Sequence, residues 1–242
     1  VRVRRALCMA LDPRMMYEKL FFRLGALAPA DQNPVTGWAD PHVKFYPTDP
    51  AAAGRLLDAA GWKMGSGGIR IKNGRPLVVE LGTVAGAKSN EQVEVAIQAA
   101  WRAIGVQTEV KNVPGDRYFA PANAGGTLNT GNYEVALFSW VRNLDPNDAA
   151  FLSPTGFPPH GENVSYYDNA EVTRLIEQGV STFDLRRRHT IYDRIQQIIV
   201  RDLPYYTLLW IPVVTASDPH LVGVKPPPTL FAFWNITEWR WR

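Results

Sequence analysis

Asp145 and Asp148 lie close together in the stretch Val141 to Asp148. Two carboxylates facing one another across a cleft could divide acid and base work on a glycosidic bond. No other element of a hydrolytic site accompanies them. Asp145-Pro146 reads better as a turn and helix start, with Asp145 as the N-cap. The histidines, His42, His160, His189 and His220, do not stand at metal-ligand spacing from one another, from Cys8 or from a carboxylate pair. There is no GxSxG elbow and no Walker loop, and Gly125-Gly126-Thr127 lacks the lysine that a phosphate-cradling loop requires. Cys8, the only cysteine, sits in an apolar helix-like stretch and reads as packing; alone, it forms no internal disulfide. The sequence therefore predicts no catalytic residue, no metal ligand and no cofactor.

A different grouping suits ligand binding. Trp140 ends a strand-like run, and the polar turn Val141 to Asp148 follows at once. In open parallel sheets, ligands bind outside the carboxyl ends of the strands. Three loops are expected to meet there: the turn after Val84, with Thr83 beside it; the segment Gly115 to Phe119; and Val141 to Asp148. Trp140, Tyr118 and Phe119 would supply apolar walls, and Arg142, Asn143 and Asp145 a few directed polar contacts. Sparse polar groups among apolar walls describe a small-molecule cleft. The same aromatic residues could equally serve helix-to-sheet packing.

The elements that must position this cleft follow from periodicity and punctuation. Arg4 to Leu11 and Arg14 to Leu24 read as two short helices parted by Asp12-Pro13, with Asp as N-cap and Pro at the first helical position. A loop rich in Pro, Gly, Asp and Asn runs to Pro50. Ala51 to Ala60 is a helix ended by Gly61. Asn73-Gly74 between Ile69–Lys72 and Leu77–Leu81 signals a tight hairpin. Leu77 to Val84 reads as a strand. Ser89 to Gln92 has the form of a capping box, and Val93, Ile97, Trp101 and Ile104 lie along one face of the helix that follows. Val106 to Val113 is a second strand. Asp116 to Asn123 has helical character, and Tyr133 to Trp140 is a third strand, apolar enough to be buried on both faces. Strand and helix alternation argues for a parallel sheet with right-handed crossovers. Two more helices carry the stripes Val172, Leu175, Ile176, Gly179, Val180 and Leu185, Tyr192, Ile195, Ile199, Leu203. Pro204 begins an extended apolar stretch. The tail holds Pro226-Pro227-Pro228 and the aromatic residues Phe231, Phe233, Trp234, Trp239 and Trp241.

Composition narrows the classes. With 242 residues, 46% of them hydrophobic, the chain can bury a sizeable core. A net charge of +3 is mild, and Arg186-Arg187-Arg188, the one basic run, reads as a solvated helix face, so nucleic acid is not an expected partner. No stretch approaches a membrane span. The eight Trp exceed what such a core needs, which points to a ligand site or an interface. The chain opens on Val1-Arg2-Val3 without a Met or a signal peptide: processing has removed a leader, or the sequence starts mid-protein.

Six short segments, in order, resemble a known family. Val1-Arg2-Val3-Arg4-Arg5-Ala6-Leu7 with Ala10-Leu11-Asp12-Pro13 resembles "VRxAL…AID". Tyr46-Pro47, Asp49-Pro50, Ala53, Leu56-Leu57 and Ala60-Gly61-Trp62 resemble "YDPEKAKxLLxEAGY". Ile97-Gln98 with Ile104-Gly105-Val106 resembles "IQxxLxxIGI". Tyr133 to Trp140 followed by Asp145-Pro146 resembles "YDxxxxGW…DPD". Asn163, Tyr166 and Asn169-Ala170-Glu171-Val172 resemble "NxxGYxNPEVD", and Tyr192 to Pro204 resembles "YxxxQxIlxeDxP". The family is the peptide/nickel-type (family 5) solute-binding proteins of ABC transporters, and the likeness is to its C-terminal lobe. The resemblance implies an α/β, periplasmic-binding-protein-like lobe with a mostly parallel central sheet flanked by helices. It implies a ligand-binding lobe over residues 1–222 and a returning segment over 223–242 that packs on a further lobe. It also implies a periplasmic or extracytoplasmic place, a membrane ABC permease as partner, capture of peptides or peptide-like solutes by lobe closure, and no enzyme activity. Oligosaccharides, opines and nickel chelates are the alternative ligands. The aromatic tail would favour self-association if left uncovered. Peptide-binding members often carry an Asp three residues after the strand-end Trp, paired with the peptide's amino terminus, and here that position is Asn143. Either Asp145 takes the role from a shorter turn, or the ligand has no free amine. A basic residue three before that Trp in some members is Leu137 here.

Overall fold

A computed structural model describes residues 1–226 and 233–242; Pro227, Pro228 and Phe231 of the tail lie outside the described residues. In chain order the helices are α1 (Arg2–Met9), α2 (Pro13–Lys19), α3 (Pro50–Ala59), α4 (Lys88–Ala103), α5 (Gly115–Tyr118), α6 (Thr127–Thr130), α7 (Ala149–Leu152), α8 (Ala170–Ser181) and α9 (Leu185–Asp202). The strands are β1 (Ala26–Leu27), β2 (Lys63–Met64), β3 (Arg70–Lys72), β4 (Arg75–Pro76), β5 (Val78–Gly82), β6 (Gln107–Val110), β7 (Val135–Ala136), β8 (Leu209–Trp210), β9 (Leu221–Val222) and β10 (Arg240–Trp241).

The central sheet is parallel, in the order β6-β5-β7. Its first strand in sequence is its middle strand, so the chain crosses to one side through α4 and then to the other through α5 and α6. The side-chain period of two divides the sheet between two cores. Val79, Leu81, Val135 and Leu137 face α1, α3 and α4, where Ile97, Trp101 and Ile104 are buried. Ala136, Phe138 and Trp140 face Tyr118, Leu128 and Val164. Val135 to Phe138 thus meet a core on each face, as their apolar sequence suggested, but β7 is an edge strand and the run is only half-buried.

Several local signals hold. Asp12 and Asp49 accept hydrogen bonds from the amides of Met15 and Ala52, capping α2 and α3 with Pro at the first position. Asn73 and Gly74 both take left-handed φ, 52° and 74°, which suits a primed turn joining β3 to β4. The strand after that turn then breaks: β4 belongs to a small antiparallel sheet, and β5 to the parallel one. The expected capping box does not form. Ala87 is the N-cap of α4, and Glu91 Oε1, not a Ser89 hydroxyl, accepts from the Gly86 amide at 2.8 Å. Asp145 likewise starts no helix: its Oδ1 accepts from the Asn147 amide in a local turn, and α7 begins after Asp148.

α8 and α9 pack as an antiparallel hairpin on a core of Val172, Ile176, Tyr192, Ile195 and Ile199. Gly179 permits the approach, since a Cβ there would come within 2.8 Å of the Tyr192 ring. Val180 and Leu185, counted in the stripes, lie at the hairpin's tip and are 52% and 65% exposed. After α9 the chain extends past β1, which pairs antiparallel with β8. The hairpin β9–β10 joins Leu221–Val222 to Arg240–Trp241, so the expected boundary after residue 222 runs through a paired unit. No helix among the described residues is long and apolar enough to cross a membrane.

Candidate ligand-binding site

The parallel strands end together. Beyond β5 and β6, a parallel bridge joins Val84 to Val113. Thr83 is fully buried there. Its amide donates to Asn112 Oδ1 at 2.9 Å, its hydroxyl donates to the Leu137 carbonyl at 2.7 Å, and the same hydroxyl accepts from Asn90 at 3.1 Å. Tyr118, 1% exposed, donates its hydroxyl to the Gly82 carbonyl at 3.0 Å, and burial raises its pKa. These two residues tie the strand ends together, and their polar atoms are already spent on the protein. Phe119 is 50% exposed and meets the rings of Tyr118 and Phe138 edge to face.

Trp140 follows β7 on the same face of the sheet as Phe138. Its half-buried ring stands edge to face against Phe138, Phe151 and Tyr205, with centroids 4.8, 5.5 and 5.2 Å away. It therefore joins the core under α5–α6 to the core of the α8–α9 hairpin. Trp140 is held by these three rings and stays half-buried, so the part of it that reaches solvent is a fixed contact surface.

Arg142 turns inward. Its side chain is 8% exposed and reaches two carboxylates, Asp31 Oδ2 at 2.9 Å and Asp148 Oδ1, while its guanidinium lies 4.1 Å above the centre of the Phe151 ring. Tyr205 donates to the same Asp31 oxygen at 2.6 Å, and Gln32 donates to Asp148 Oδ2 at 2.7 Å. Asp31 and Gln32 come from the loop after β1, which is pinned to the returning chain by Ala28 N–H to the Leu208 carbonyl and the Thr207 hydroxyl to the Ala28 carbonyl. One buried cluster thus fastens the Trp140–Asp148 loop to both chain segments that leave this end of the molecule.

The electrostatics of the cluster follow from its count of charges. Two carboxylates share one guanidinium in a site without water contact. Burial raises the Asp148 pKa to about 8, Asp31 adds to that rise, and Arg142 opposes it. Burial by itself would lower the Arg142 pKa, but Asp148 and Asp31 more than offset it, so the arginine stays charged. Among the described residues, Asp31 Oδ1 and Arg142 Nη1 have no hydrogen-bond partner.

Asp145, 54% exposed at its side chain, is held by Arg188, one of whose nitrogens reaches both its oxygens at 3.0 and 2.8 Å. Arg188 is itself fixed by its Nε donating to the Gly179 carbonyl and by the rings of Trp38 and Tyr192 beneath it. Asn143 is exposed and neither donates nor accepts a hydrogen bond among the described residues. Val141 and Leu144 on either side of it are 54% and 53% exposed. The structure thus brings Trp140, Phe119 and Asn143 to the accessible side of the strand ends, sends Arg142, Thr83 and Tyr118 into the interior, and pairs Asp145. A cavity of about 70 Å³ lies away from this loop, on the α5–α6 face of the sheet, between Glu80, Lys111, Arg117 and Tyr133. No cluster of described residues could hold a metal ion.

Sequence reasoning missed Asp31, Gln32, Tyr205 and Arg188. Each lies far along the chain from the loop it supports: Asp31 is 111 residues from Arg142 and 174 from Tyr205. The one available sign was Asp148 itself, whose pairing could have been asked of any acid beside an apolar Phe151-Leu152.

The fold has known counterparts. Residues 1–163 match the family model described as "Bacterial extracellular solute-binding proteins, family 5 Middle". The oligopeptide-binding protein AppA of Bacillus subtilis is 26% identical over 242 residues, which cover 98% of this chain and 43% of that protein. The structure of that protein with a nonapeptide superposes with a TM-score of 0.84 at 24% identity, covering all of this chain and 47% of the other. NikZ from Campylobacter jejuni, in complex with Ni(L-His), gives a TM-score of 0.85 at 21% identity over 98% of this chain and 48% of that one. Both likenesses are to periplasmic-binding-protein-like folds, and the chain spans less than half the length of each protein.

Proposed function

Because this chain belongs to the bacterial extracellular solute-binding proteins of family 5, we propose that it forms one wall of a solute cleft in an ABC-import binding protein that takes peptides or peptide-like solutes. The observation that carries the reading is the loop after β7. Three parallel strands end at one place, and the loop there is locked from inside by Arg142 while Trp140, Asn143 and Phe119 remain accessible. A site is useful when its contact groups are fixed before the ligand arrives, because less ordering then opposes binding.

The second wall would come from a further lobe, with the solute captured as the two lobes close. The exposed apolar residues agree with such a cover. Ile211, Val213 and Val214 are 48%, 56% and 81% exposed on the returning chain, and Phe233, Trp234 and Trp241 are 66%, 48% and 68% exposed beyond it. If these residues stay uncovered in the isolated chain, they favour its self-association. The protein would work outside the cytoplasm and deliver its solute to a membrane permease.

Native mass spectrometry of the protein in its full length, purified from its own cells, tests the reading. A peptide released at unit stoichiometry on gentle denaturation is the expected result. A protein that carries no solute and shows no thermal shift with peptides, oligosaccharides or nickel chelates contradicts it.

A further inference from the structure

We infer that the solute presents an uncharged group, not an ammonium, to the loop after β7; this rests on the reading of that loop as a cleft wall. The argument is a count of what each charged side chain at the strand ends is doing. In the loop itself, Arg142 is buried against Asp31 and Asp148, and Asp145 is held by Arg188. In the loop after β5, residues 84–87 are Val-Ala-Gly-Ala, and Lys88 beyond them pairs with Glu91 at 3.0 Å. After β6, Asp116 and Arg117 are both exposed and carry one charge of each sign; Asp116 Oδ1 accepts from the Arg117 amide, and their side chains form no ion pair among the described residues. What the loop shows to solvent is Val141, Leu144, the neutral amides of Asn143 and Asn147, and the carboxylate of Asp145 already paired with Arg188.

An arriving ammonium would meet in Asp145 a carboxylate whose charge Arg188 already offsets: it could use the remaining lone pairs of that carboxylate, but only by standing beside the Arg188 cation. That arginine is fixed in place by the Gly179 carbonyl and by two aromatic rings, and its side chain is only 16% exposed. Its charge stays where it is when a ligand arrives, so like-charge repulsion cancels much of what an ammonium would gain from Asp145. Asn143 can accept a hydrogen bond from an ammonium, but without the charge assistance that makes such bonds about twice as strong. The same amide both donates and accepts, so it suits a peptide group, an N-acyl cap or a hydroxyl equally. The accessible surface therefore favours a peptide held through its neutral interior, with the exposed Val141, Leu144 and Phe119 taking apolar parts beside the half-buried Trp140.

The test uses the full-length protein and two peptide libraries of the same random four- to six-residue sequences, one with free amino termini and one N-acetylated, with retention read by native mass spectrometry. We expect the wild type to retain the two within about threefold of each other, and N143D to shift the ratio toward free amines by about tenfold, the equivalent of one charge-assisted bond. Retention of the free-amine library more than about tenfold over the acetylated one by the wild type overturns the inference. Retention of neutral oligosaccharides in place of both libraries would overturn the peptide reading and support an uncharged contact. Failure to retain any of the three overturns the cleft reading itself, and this inference with it.

Discussion

The Trp140–Asp148 loop has two sides that obey different physics. On its inner side, Arg142 and Tyr205 join the buried Asp31, Asp148 and Gln32 in a charged cluster largely screened from solvent. On its outer side, Val141, Asn143 and Leu144 face solvent and carry no charge. Charge buried with partners fixes geometry, because breaking one pair strands the others in a medium that cannot solvate them. An exposed amide fixes nothing, since water replaces whatever it loses. The loop is therefore held by one set of residues and recognises with another, and the two can be altered separately.

The largest expected effect tests the inner side. Arg142→Met removes the only cation between Asp31 and Asp148, and the unfolding free energy should fall by about 3–5 kcal/mol, as for other buried pairs that lose one partner. Urea unfolding followed by tryptophan fluorescence reads this as a lower midpoint. If the cluster acts as a unit, Asp31→Asn added to that variant recovers part of the loss instead of adding to it.

Next in size is a dependence on pH. Burial and the neighbouring Asp31 raise the Asp148 pKa in the folded chain to about 8, from 3.8 in the unfolded one. Between those values the folded state binds more protons than the unfolded one, so stability falls as pH rises through that window, by at most about 1.4 kcal/mol per unit. Melting temperature should decline from pH 5 to pH 8, and Asp148→Asn should flatten that slope.

The comparison also shows what could be read without coordinates. The helices α8 and α9, the Asn73-Gly74 turn and the parallel character of the sheet of β5, β6 and β7 follow from local or periodic signals, and all were legible. The inner cluster was not. Arg142 looked like a ligand contact because its own neighbourhood is a polar turn, and its partners arrive from loops without periodicity. Thr83 and Tyr118 were correctly placed at the strand ends, but sequence could not tell a residue that ties strands together from one that faces the solute. Ser89 failed as a cap because α4 starts earlier, with Ala87 at the N-cap, which leaves Ser89 inside the first helical turn.

Two smaller effects sharpen the contrast. Asp145→Asn keeps the turn to Asn147 but loses the ion pair with Arg188, and this half-exposed pair should contribute only about 0.2–1 kcal/mol. A double-mutant cycle with Arg188→Ala measures it. Asn143→Ala should leave stability within about 0.5 kcal/mol, while weakening solute binding several-fold in calorimetry of the full-length protein, the cost of about one hydrogen bond. A variant that changes stability as much as binding would erase the distinction between the two sides.

Hydrogen–deuterium exchange of the full-length protein, with and without its co-purified solute, tests the central claim most directly. The account predicts slowed exchange on binding at the amides of residues 139–145 and 115–119, with the amides of Thr83 and Tyr118 already slow in both states. Protection confined to other segments, with the Trp140–Asp148 loop exchanging equally in both states, would contradict it.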